Sequence, residues 1–554
     1  MTNFVRVNPF FVKNHTDMKK AILFQLLIFC ILLGGVQSVN ANNIKVTDVL
    51  LTSQNFAAKT ARVRFNLSWE NSWRVNYQPT NWDAAWVFVK YKKQGEHIWK
   101  HATLSNVQAN HTAPSGSVIT PVSDGVGAFV YRSNNGLGTF VVNQAELEWK
   151  YGSDILSSNE RVEVRVYAIE MVYVPTGTFY VGSEGLETSS FTDGGWSMGG
   201  TIPYKVLSEG TLAIDDSAGH LWGIDATIGN VPADPERKLS ISYPKGYQAY
   251  YCMKYEVSQG QYRDFLNSLS RTQQTQRFSH MAVGAYAGGW TYDGVQFLED
   301  VSPRYQPANR IGVRLVDDPG NDKPYVFACD LNPSTSPYSS VNQSDDGEWI
   351  SMGMMSWMDL AAYLDWSGLR PMTELEFEKS ARGDGYPLAY DYAWGDNSIA
   401  SADDITDGGT RDESCQTNGA NAVYDNIFTV QGPMRQGVFA TNNSDRLKSG
   451  ASFYGIMELS GNVVERTVTV GSEAGREFTG LHGNGTIGID GNATQIYWPG
   501  AVNGVVTGAD GIGFRGGDWF TGGFNLNISD RTDAVTVSPI RSFNYGGRGV
   551  RTAP

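Results

Sequence analysis

The sequence predicts an α+β protein in which an antiparallel β domain comes first and a loop-rich region with a few short helices follows. Near the start of the chain, apolar and polar residues alternate with the period of two that a half-buried strand requires. After about residue 170, apolar residues recur at steps of three and four only over short segments. Glycine is abundant, with 61 of 554 residues, and 12% of the residues are aromatic. This composition favours short strands and loops that pack around aromatic anchors.

Residues 42–168 are predicted to form a β-sandwich. Two sets of apolar residues alternate with polar neighbours, namely Val63, Phe65, Leu67 and Trp69, and later Val162, Val164 and Val166. An apolar run at 86–89 suits a central strand, and stretches rich in glycine and asparagine supply the turns. Antiparallel strands of this kind pack naturally as two sheets around one core.

Residues 170–554 contain three predicted helices among long loops. The first covers about 256–269, where Tyr262, Phe265 and Leu266 fall on one face. The second covers about 357–367. The third begins after Thr373, an N-cap residue whose capping-box partner is Glu376, and it ends at a glycine, residue 383.

The first 41 residues are predicted to be a signal peptide. Lys19 and Lys20 precede an apolar run from Ala21 to Leu33, and residues 39–41 fit a small-x-small cleavage site. The run is shorter than the roughly 20 residues of a membrane-spanning helix, although an uncleaved anchor is the alternative. No second apolar run of that length follows, so the mature chain is expected to lack a transmembrane helix. We expect it in the periplasm, secreted, or at the cell surface.

Charge and cysteine content narrow the possible partners and chemistries. The formal net charge of −14 argues against a nucleic-acid partner, because phosphate backbones attract an excess of lysine and arginine. After signal cleavage three cysteines remain, Cys252, Cys329 and Cys415, and their spacing fits no zinc motif. They allow one disulfide at most, and three buried thiols are the alternative.

Seven collinear segments carry a family resemblance. They are MVYVPTGTFYVGS at 171–183, YCMKYEVSQGQYRDFL at 251–266, SWMDLAAYLDWSGLRPMTELEFEKSARG at 356–383, YAWGD at 392–396, SFYGIMELSGNVVE at 452–465, GFRGGDW at 513–519 and GGRGVR at 546–551. In this order they resemble the formylglycine-generating enzyme or sulfatase-modifying-factor family, over residues 170–554. The resemblance implies a variant C-type-lectin-like fold with little regular secondary structure.

The residues that carry the family's oxidase chemistry are missing. Enzymes of this family convert a cysteine of a client protein to formylglycine with two cysteines that bind copper, just after an RGGS-type motif. Here the motif reads Arg515-Gly516-Gly517-Asp518, and the cysteines would fall at about Thr521 and within 523–526. None of these residues is cysteine, and other side chains supply neither a redox thiol nor a soft copper ligand. We therefore expect no copper and no catalytic residues, and a pseudoenzyme.

The resemblance also implies a structural calcium site. Its ligands would be carboxylate oxygens of Glu458 and Glu465 and backbone carbonyls of Gly461 and Val463. Calcium takes six to eight hard oxygen ligands, so a tight loop that mixes carboxylates and carbonyls suits it. The alternative is a plain turn with two solvated glutamates. The family's Trp-Glu-Trp also reads Val464-Glu465-Arg466 here, which removes an aromatic side chain near the expected groove.

The window from Trp519 to Tyr545 is the expected binding groove, by analogy with degenerate members of the family that display ligand-binding surfaces. Its candidate residues are Trp519, Phe520, Asn525, Asn527, Arg531, Arg541, Asn544 and Tyr545. Aromatic, asparagine and arginine side chains make adaptable contacts, although Trp519 and Arg531 could equally be core residues. We expect a non-catalytic envelope or secreted scaffold with a protein or glycan ligand. The alternatives are a formylglycine-generating or other oxidoreductase that acts on a protein substrate, and a carbohydrate-binding protein.

Overall fold

A computed structural model describes residues 43–554 apart from residues 155, 158, 196–200, 224–236, 279–280, 288–290, 293–294, 297–307, 332–344 and 442. The predicted signal peptide, residues 1–41, lies outside the described residues.

Strands form most of the regular structure. Between residues 43 and 174, the described strands are β1 (Lys45–Asn55), β2 (Thr60–Arg74), β3 (Asp83–Lys93), β4 (Lys100–His101), β5 (Ser117–Pro121), β6 (Ala128–Arg132), β7 (Gly136–Trp149) and β8 (Val162–Val174). The later strands are β9 (Phe179–Val181), β10 (Phe191–Asp193), β11 (Tyr204–Val206), β12 (Leu212–Ala213), β13 (Leu221–Gly223), β14 (Lys238–Leu239), β15 (Tyr250–Met253), β16 (Thr291–Tyr292), β17 (Val295–Gln296), β18 (Val313–Asp317), β19 (Val326–Cys329), β20 (Arg370–Pro371), β21 (Ile405–Thr406), β22 (Ser414–Cys415), β23 (Val464–Val468), β24 (Ala501–Val502), β25 (Val505–Val506), β26 (Ile512–Arg515), β27 (Tyr545–Gly546) and β28 (Gly549–Thr552).

The helices of the described residues are short. They are α1 (Gln259–Leu266), α2 (Arg271–Arg277), α3 (Trp357–Ser367), α4 (Glu374–Arg382), α5 (Arg446–Ser449) and α6 (Glu473–Arg476), with 3-10 turns at Gln108–Asn110, Ala308–Arg310 and Gly523–Leu526. The predicted capping box of α4 is confirmed: Thr373 accepts from the Glu376 N–H, and Glu376 accepts from the Thr373 N–H. None of the helices in the described ranges has the length and apolar character that crossing a bilayer requires.

Two sheets organise the N-terminal strands. A three-stranded sheet has the order β1-β2-β7, and a larger sheet has the order β20-β28-β15-β8-β3-β6-β5, with β4 paired to β3. A core cluster draws side chains from both sheets, among them Phe65 and Trp69 of β2 and Val87 and Val89 of β3. The strand-rich architecture with few helices agrees with the predicted α+β class.

Strand β8 joins the first part of the chain to the rest. It runs through residues 168–170, where the sequence places the boundary between the two predicted domains. It pairs with β3 along Val162–Val172 and with β15 along Met171–Val174, so the larger sheet is continuous through this point. A buried ion pair reinforces the junction, because the Lys254 Nζ lies 3.0 Å from Glu170 and 3.6 Å from Asp83.

Candidate functional site

Strand β26 ends at Arg515, which fixes the start of the predicted groove. Its guanidinium is buried and donates to Glu374 (2.9 Å) and Glu378 (2.8 Å) on α4. The next two residues, Gly516 and Gly517, have φ angles of 88° and 62°. These left-handed conformations favour glycine and turn the chain sharply into the following loop.

Asp518 stabilises that loop from within. One carboxylate oxygen accepts from the N–H groups of Phe520 (2.8 Å) and Thr521 (3.0 Å), and the other accepts from the side-chain amide of Asn544 (2.7 Å). Burial raises the pKa of Asp518 to about 6. The carboxyl group therefore closes a compact turn that presents Phe520 at the surface, where 43% of the residue is exposed.

The segment in which the family places its cysteines has a structural role here. The Thr521 hydroxyl accepts from the Asp518 N–H at 3.0 Å, and residues 523–526 form a 3-10 turn. Leu526 is buried in a core cluster, whereas Phe524 is 80% exposed. No atom of this segment offers a thiolate to a metal or to a substrate.

The three thiols in the described part of the chain are unpaired and lie in different surroundings. Cys252 is buried on β15, and burial raises the pKa of its thiol to about 12. Cys329 ends β19 beside Arg263, and burial also raises the pKa of its thiol. Cys415 packs at the margin of the cluster that contains Trp519. A protonated thiol is a poor nucleophile and a poor metal ligand. Cys415 is the one of these three thiols that packs near Trp519, and a single cysteine does not restore the family's cysteine pair.

Three of the eight predicted groove residues are buried. Trp519 packs in a small core cluster, and Asn527 donates to the Tyr390 carbonyl at 2.8 Å. Arg531 donates to Glu374 at 2.6 and 3.1 Å and to the Ser189 carbonyl at 2.9 Å. These three side chains hold the 519–531 segment in place and do not reach the surface.

Two further residues of the predicted set, Arg541 and Tyr545, are partly buried in structural contacts. Arg541 donates to Asp359 of α3 at 2.6 and 2.8 Å. The Tyr545 ring packs against Phe514, and the Arg466 guanidinium lies 5.0 Å from the Tyr545 ring and 4.7 Å from the Phe514 ring. Arg466 thus packs among aromatic rings at the place of the family's second tryptophan.

Phe520 is the exposed member of the predicted set, and Asn525 and Asn544 are half-buried. The loop 518–526 and the segments bonded to it also carry exposed apolar residues that sequence reasoning missed, and we name this set the aromatic face. It consists of Leu186, Tyr386, Leu388, Tyr390, Phe428, Phe520 and Phe524, each between 41% and 88% exposed.

Hydrogen bonds join the segments that carry the aromatic face. The Asp425 N–H donates to the Thr521 carbonyl (3.0 Å), and the Asn426 N–H donates to the Trp519 carbonyl (2.8 Å). The Leu186 N–H donates to the Tyr390 hydroxyl (3.3 Å). The Asn527 side chain, which donates to the Tyr390 carbonyl, links these two pairs, so hydrogen bonds connect four segments that are distant in sequence. Their apolar residues carry no periodic pattern, so no signal in the sequence could have identified them.

The predicted calcium ligands lie in a buried loop. Glu458 accepts from the Gly437 N–H at 2.7 Å through one oxygen, and Glu465 accepts from Arg548 at 2.6 and 2.8 Å through one oxygen. The second carboxylate oxygen of each glutamate, Oε2, is buried and has no hydrogen-bond partner. Buried carboxylate oxygens are normally paired with a donor or a cation, so these two atoms suit a hard cation.

Three buried carboxyl groups lie in or against this loop, those of Glu458, Glu465 and Glu256. Burial raises the pKa of Glu458 to about 7, and it also raises the pKa of Glu465, which Arg548 opposes. A third buried carboxyl group, Glu256, accepts from the Val463 N–H (3.1 Å) and the Asn462 side chain (2.7 Å). Within the described residues, no group of three or more His, Cys, Asp or Glu side chains is arranged to hold a metal ion. A calcium site would therefore depend on backbone carbonyls as well.

The comparisons with known proteins agree with the motif segments. The family model of the sulfatase-modifying factor enzyme 1-like domain matches residues 159–552, which is more than two thirds of the chain. No curated protein matches the chain significantly. On the extent of the family match, the chain belongs to the family of the sulfatase-modifying factor enzyme 1-like domain.

Proposed function

We propose that this protein is a non-catalytic scaffold of the cell envelope or exterior that binds a protein ligand through the aromatic face. The observation that carries the proposal is the loop 518–526. It has no thiol, the side chains of Asp518 and Thr521 are engaged in closing the turn, and it presents Phe520 and Phe524 to solvent. A loop with this composition supports binding and lacks the groups for copper-dependent oxidation.

The aromatic face has the chemistry of a protein interface. Large exposed phenylalanine and tyrosine side chains bury much area at a low cost in side-chain entropy, and such residues dominate the energetics of interfaces. The surrounding hydrogen bonds hold the backbone of the face in place, which limits the entropy lost on binding. The exposed fraction reaches 88% at Phe428 and 80% at Phe524, and large apolar side chains exposed to this degree are typical of interaction sites.

Calcium in the 458–465 loop is part of the proposal. The two unpaired oxygens, Oε2 of Glu458 and Oε2 of Glu465, support it, and the carbonyls of Gly461 and Val463 would complete the ligand set. When bound, calcium would neutralise buried negative charge and tie together loops that lack a hydrogen-bonded ladder. The site adjoins the Arg515–Asp518 turn, because the Gly461 N–H donates to the Gly516 carbonyl at 2.9 Å. The ion would therefore stabilise the wall that supports Phe520.

The N-terminal segment completes the scaffold. We propose that residues 42–168 form a β-sandwich, supported by the core cluster that the three-stranded sheet shares with β3. We also propose that residues 1–41 direct export and are removed, which would place the mature chain in the periplasm or outside the cell.

Site-specific photo-crosslinking tests the binding face. Benzoylphenylalanine at Phe524 should crosslink one discrete partner protein in the native cell envelope, and the same probe at Leu137 on β7, which is 78% exposed, should not. Equal crosslinking patterns at the two positions would contradict the proposal.

A glycan ligand is the second candidate, because the loop-rich domain is expected to have a lectin-like fold. Glycan-array binding that calcium supports and that Phe520→Ala abolishes would favour it. An array without signal, together with a protein crosslinked at Phe524, would favour the protein ligand.

A further inference from the structure

Strand β8 has one edge that is only partly paired. Its first edge pairs with β3 along eleven consecutive residues without a register shift. Its second edge pairs with β15, but β15 has only four residues and covers Met171–Val174. Among the described residues, no strand pairs with the second edge between Val162 and Ile169.

Hydrogen bonds at the two ends of β8 show which residues direct their N–H and C=O groups toward the open edge. The Glu170 carbonyl accepts from the Lys254 N–H on the β15 side, whereas the Arg161 carbonyl and the Tyr173 N–H bond to chain next to β3. Successive residues of a strand direct their N–H and C=O groups to opposite edges. The even-numbered residues Val164, Val166 and Ala168 therefore direct both groups away from β3, toward the open edge.

A groove runs along this open edge. Its cavity measures about 740 Å³ and is lined by residues 164–169 of β8. One wall is apolar and is formed by Ile44, Val46 and Val49 at and before the start of β1. The opposite wall carries polar side chains of α1 and the residue after it, Gln261, Asp264 and Asn267, with Trp99 and Tyr325 beside them.

One cation in the groove lacks an acidic partner. Arg165 lies on β8 with its guanidinium 4.2 Å from the centre of the Trp99 ring, and it makes no ion pair within the described part of the chain. Of the neighbouring charges, Lys92 pairs with Glu163 at 3.0 Å, and Asp264 shares Arg263 with Glu348, at 2.9 and 3.2 Å respectively. Arg165 is therefore the groove residue that can receive one negative charge from a ligand.

We propose that the groove binds an extended peptide segment of a partner protein, which adds to β8 as a further strand. The unpaired N–H and C=O groups of Val164, Val166 and Ala168 would form the main-chain hydrogen bonds of such an addition. Because side chains of the added strand alternate between two faces, one set would contact the apolar wall of Ile44, Val46 and Val49. An acidic side chain on the other face would meet Arg165. This site is separate from the aromatic face and does not depend on the proposed function.

Hydrogen exchange tests the structural basis directly. In the free full-length chain, the amides of Val164, Val166 and Ala168 should exchange faster than those of Glu163, Arg165 and Tyr167, which bond to β3. Equal protection of both sets would overturn the proposal, because the edge would then already be covered.

A synthetic probe tests the binding. The probe is an N-acetylated, C-amidated peptide of about eight residues, which spans roughly 27 Å as a strand, and it alternates valine with threonine around one central glutamate. Added peptide should slow exchange at the three open-edge amides in a saturable way. The same peptide with N-methyl groups on alternate amides lacks half of its donors and should give no protection.

A matched pair of variants tests the charge. Arg165→Glu should weaken binding of the probe about tenfold, since an attraction between exposed charges becomes a repulsion. Arg161→Glu changes an exposed arginine just before β8 and outside the groove, and it should leave affinity unchanged. Absence of protection at millimolar probe, or equal binding of the N-methylated probe, would overturn the proposal. Protection that grows with protein concentration alone would assign the edge to a second copy of the chain and would overturn it too.

Discussion

Replacing Arg531 with methionine tests whether this arginine stabilises the fold or serves as a binding residue. Arg531 donates three hydrogen bonds, two of them to the buried carboxylate of Glu374, and its guanidinium lies 4.1 Å from the centre of the Phe191 ring. Removing one partner of a buried ion pair costs about 3–5 kcal/mol, because the remaining charge is left without compensation. Arg515 still pairs with Glu374 at 2.9 Å, so we expect Arg531→Met to lower the free energy of unfolding by about 4 kcal/mol.

This loss converts into a measurable change of melting temperature. The entropy of unfolding is about 2 cal/mol/K per residue. For a cooperative unit of roughly 400 residues, Tm therefore falls by about 1 °C for each kcal/mol of unfolding free energy that is lost. Arg531→Met should therefore lower Tm by about 5 °C in differential scanning fluorimetry.

Arg541→Met provides the matched control, since Arg541 belongs to the same predicted groove set. Its side chain is 24% exposed, and Asp359 keeps Arg277 at 3.2 Å after the change. We expect a decrease in Tm of about 1–2 °C. Equal shifts for the two variants, or an unchanged Tm for Arg531→Met, would refute the assignment of Arg531 to a buried structural network.

The remaining predictions concern the calcium loop, pH and the aromatic face. A chelator should lower Tm, and Glu458→Gln should abolish this shift, because the amide keeps the acceptor for the Gly437 N–H but loses the carboxylate. Glu465→Ala is less suitable for this test, because it leaves the buried Arg548 unpaired. An unchanged melting curve in chelator would remove the calcium proposal. The pKa of Glu458 is raised to about 7 and that of Asp518 to about 6, so each group favours folding in its neutral form. Their stabilising contribution is complete below about pH 4 and is lost as pH rises through 7; Tm in chelator should fall between pH 5 and pH 8, and a flat profile would contradict this. Phe524→Ala should change Tm by less than about 1 °C yet abolish ligand capture, since the ring is 80% exposed; retained capture would contradict the role of the face.

Local patterns in the sequence predicted the elements that have strong periodicity or caps, and missed α2, α5, α6 and most of the short strands. The capping residue Thr373, with Glu376 three residues later, fixed the start of α4, and the alternation in 63–69 agrees with β2. Helix α2 was missed because its sequence RTQQTQR has no apolar periodicity. It forms through the Ser270 capping box and through Gln274, whose amide donates to the carbonyls of Leu266 and Tyr325.

The candidate site was harder to predict, because its parts come from distant segments. Sequence position placed Arg531 in the groove window, but its burial depends on Glu374, which is 157 residues away. The exposure of Phe428 depends on the docking of residues 425–426 against 519–521. Neither contact leaves a local pattern, whereas the absence of cysteine from 519–526 is visible in the sequence itself.

The most direct test of the central claim is an oxidation assay on the purified chain. A cysteine-containing peptide of the sulfatase type is incubated with the protein, copper and oxygen, and the product is analysed by mass spectrometry for an aldehyde. A catalytically competent family enzyme serves as the positive control. The missing thiols predict a product with its cysteine unchanged. Aldehyde formation that depends on this protein would contradict the claim and would identify it as an oxidase.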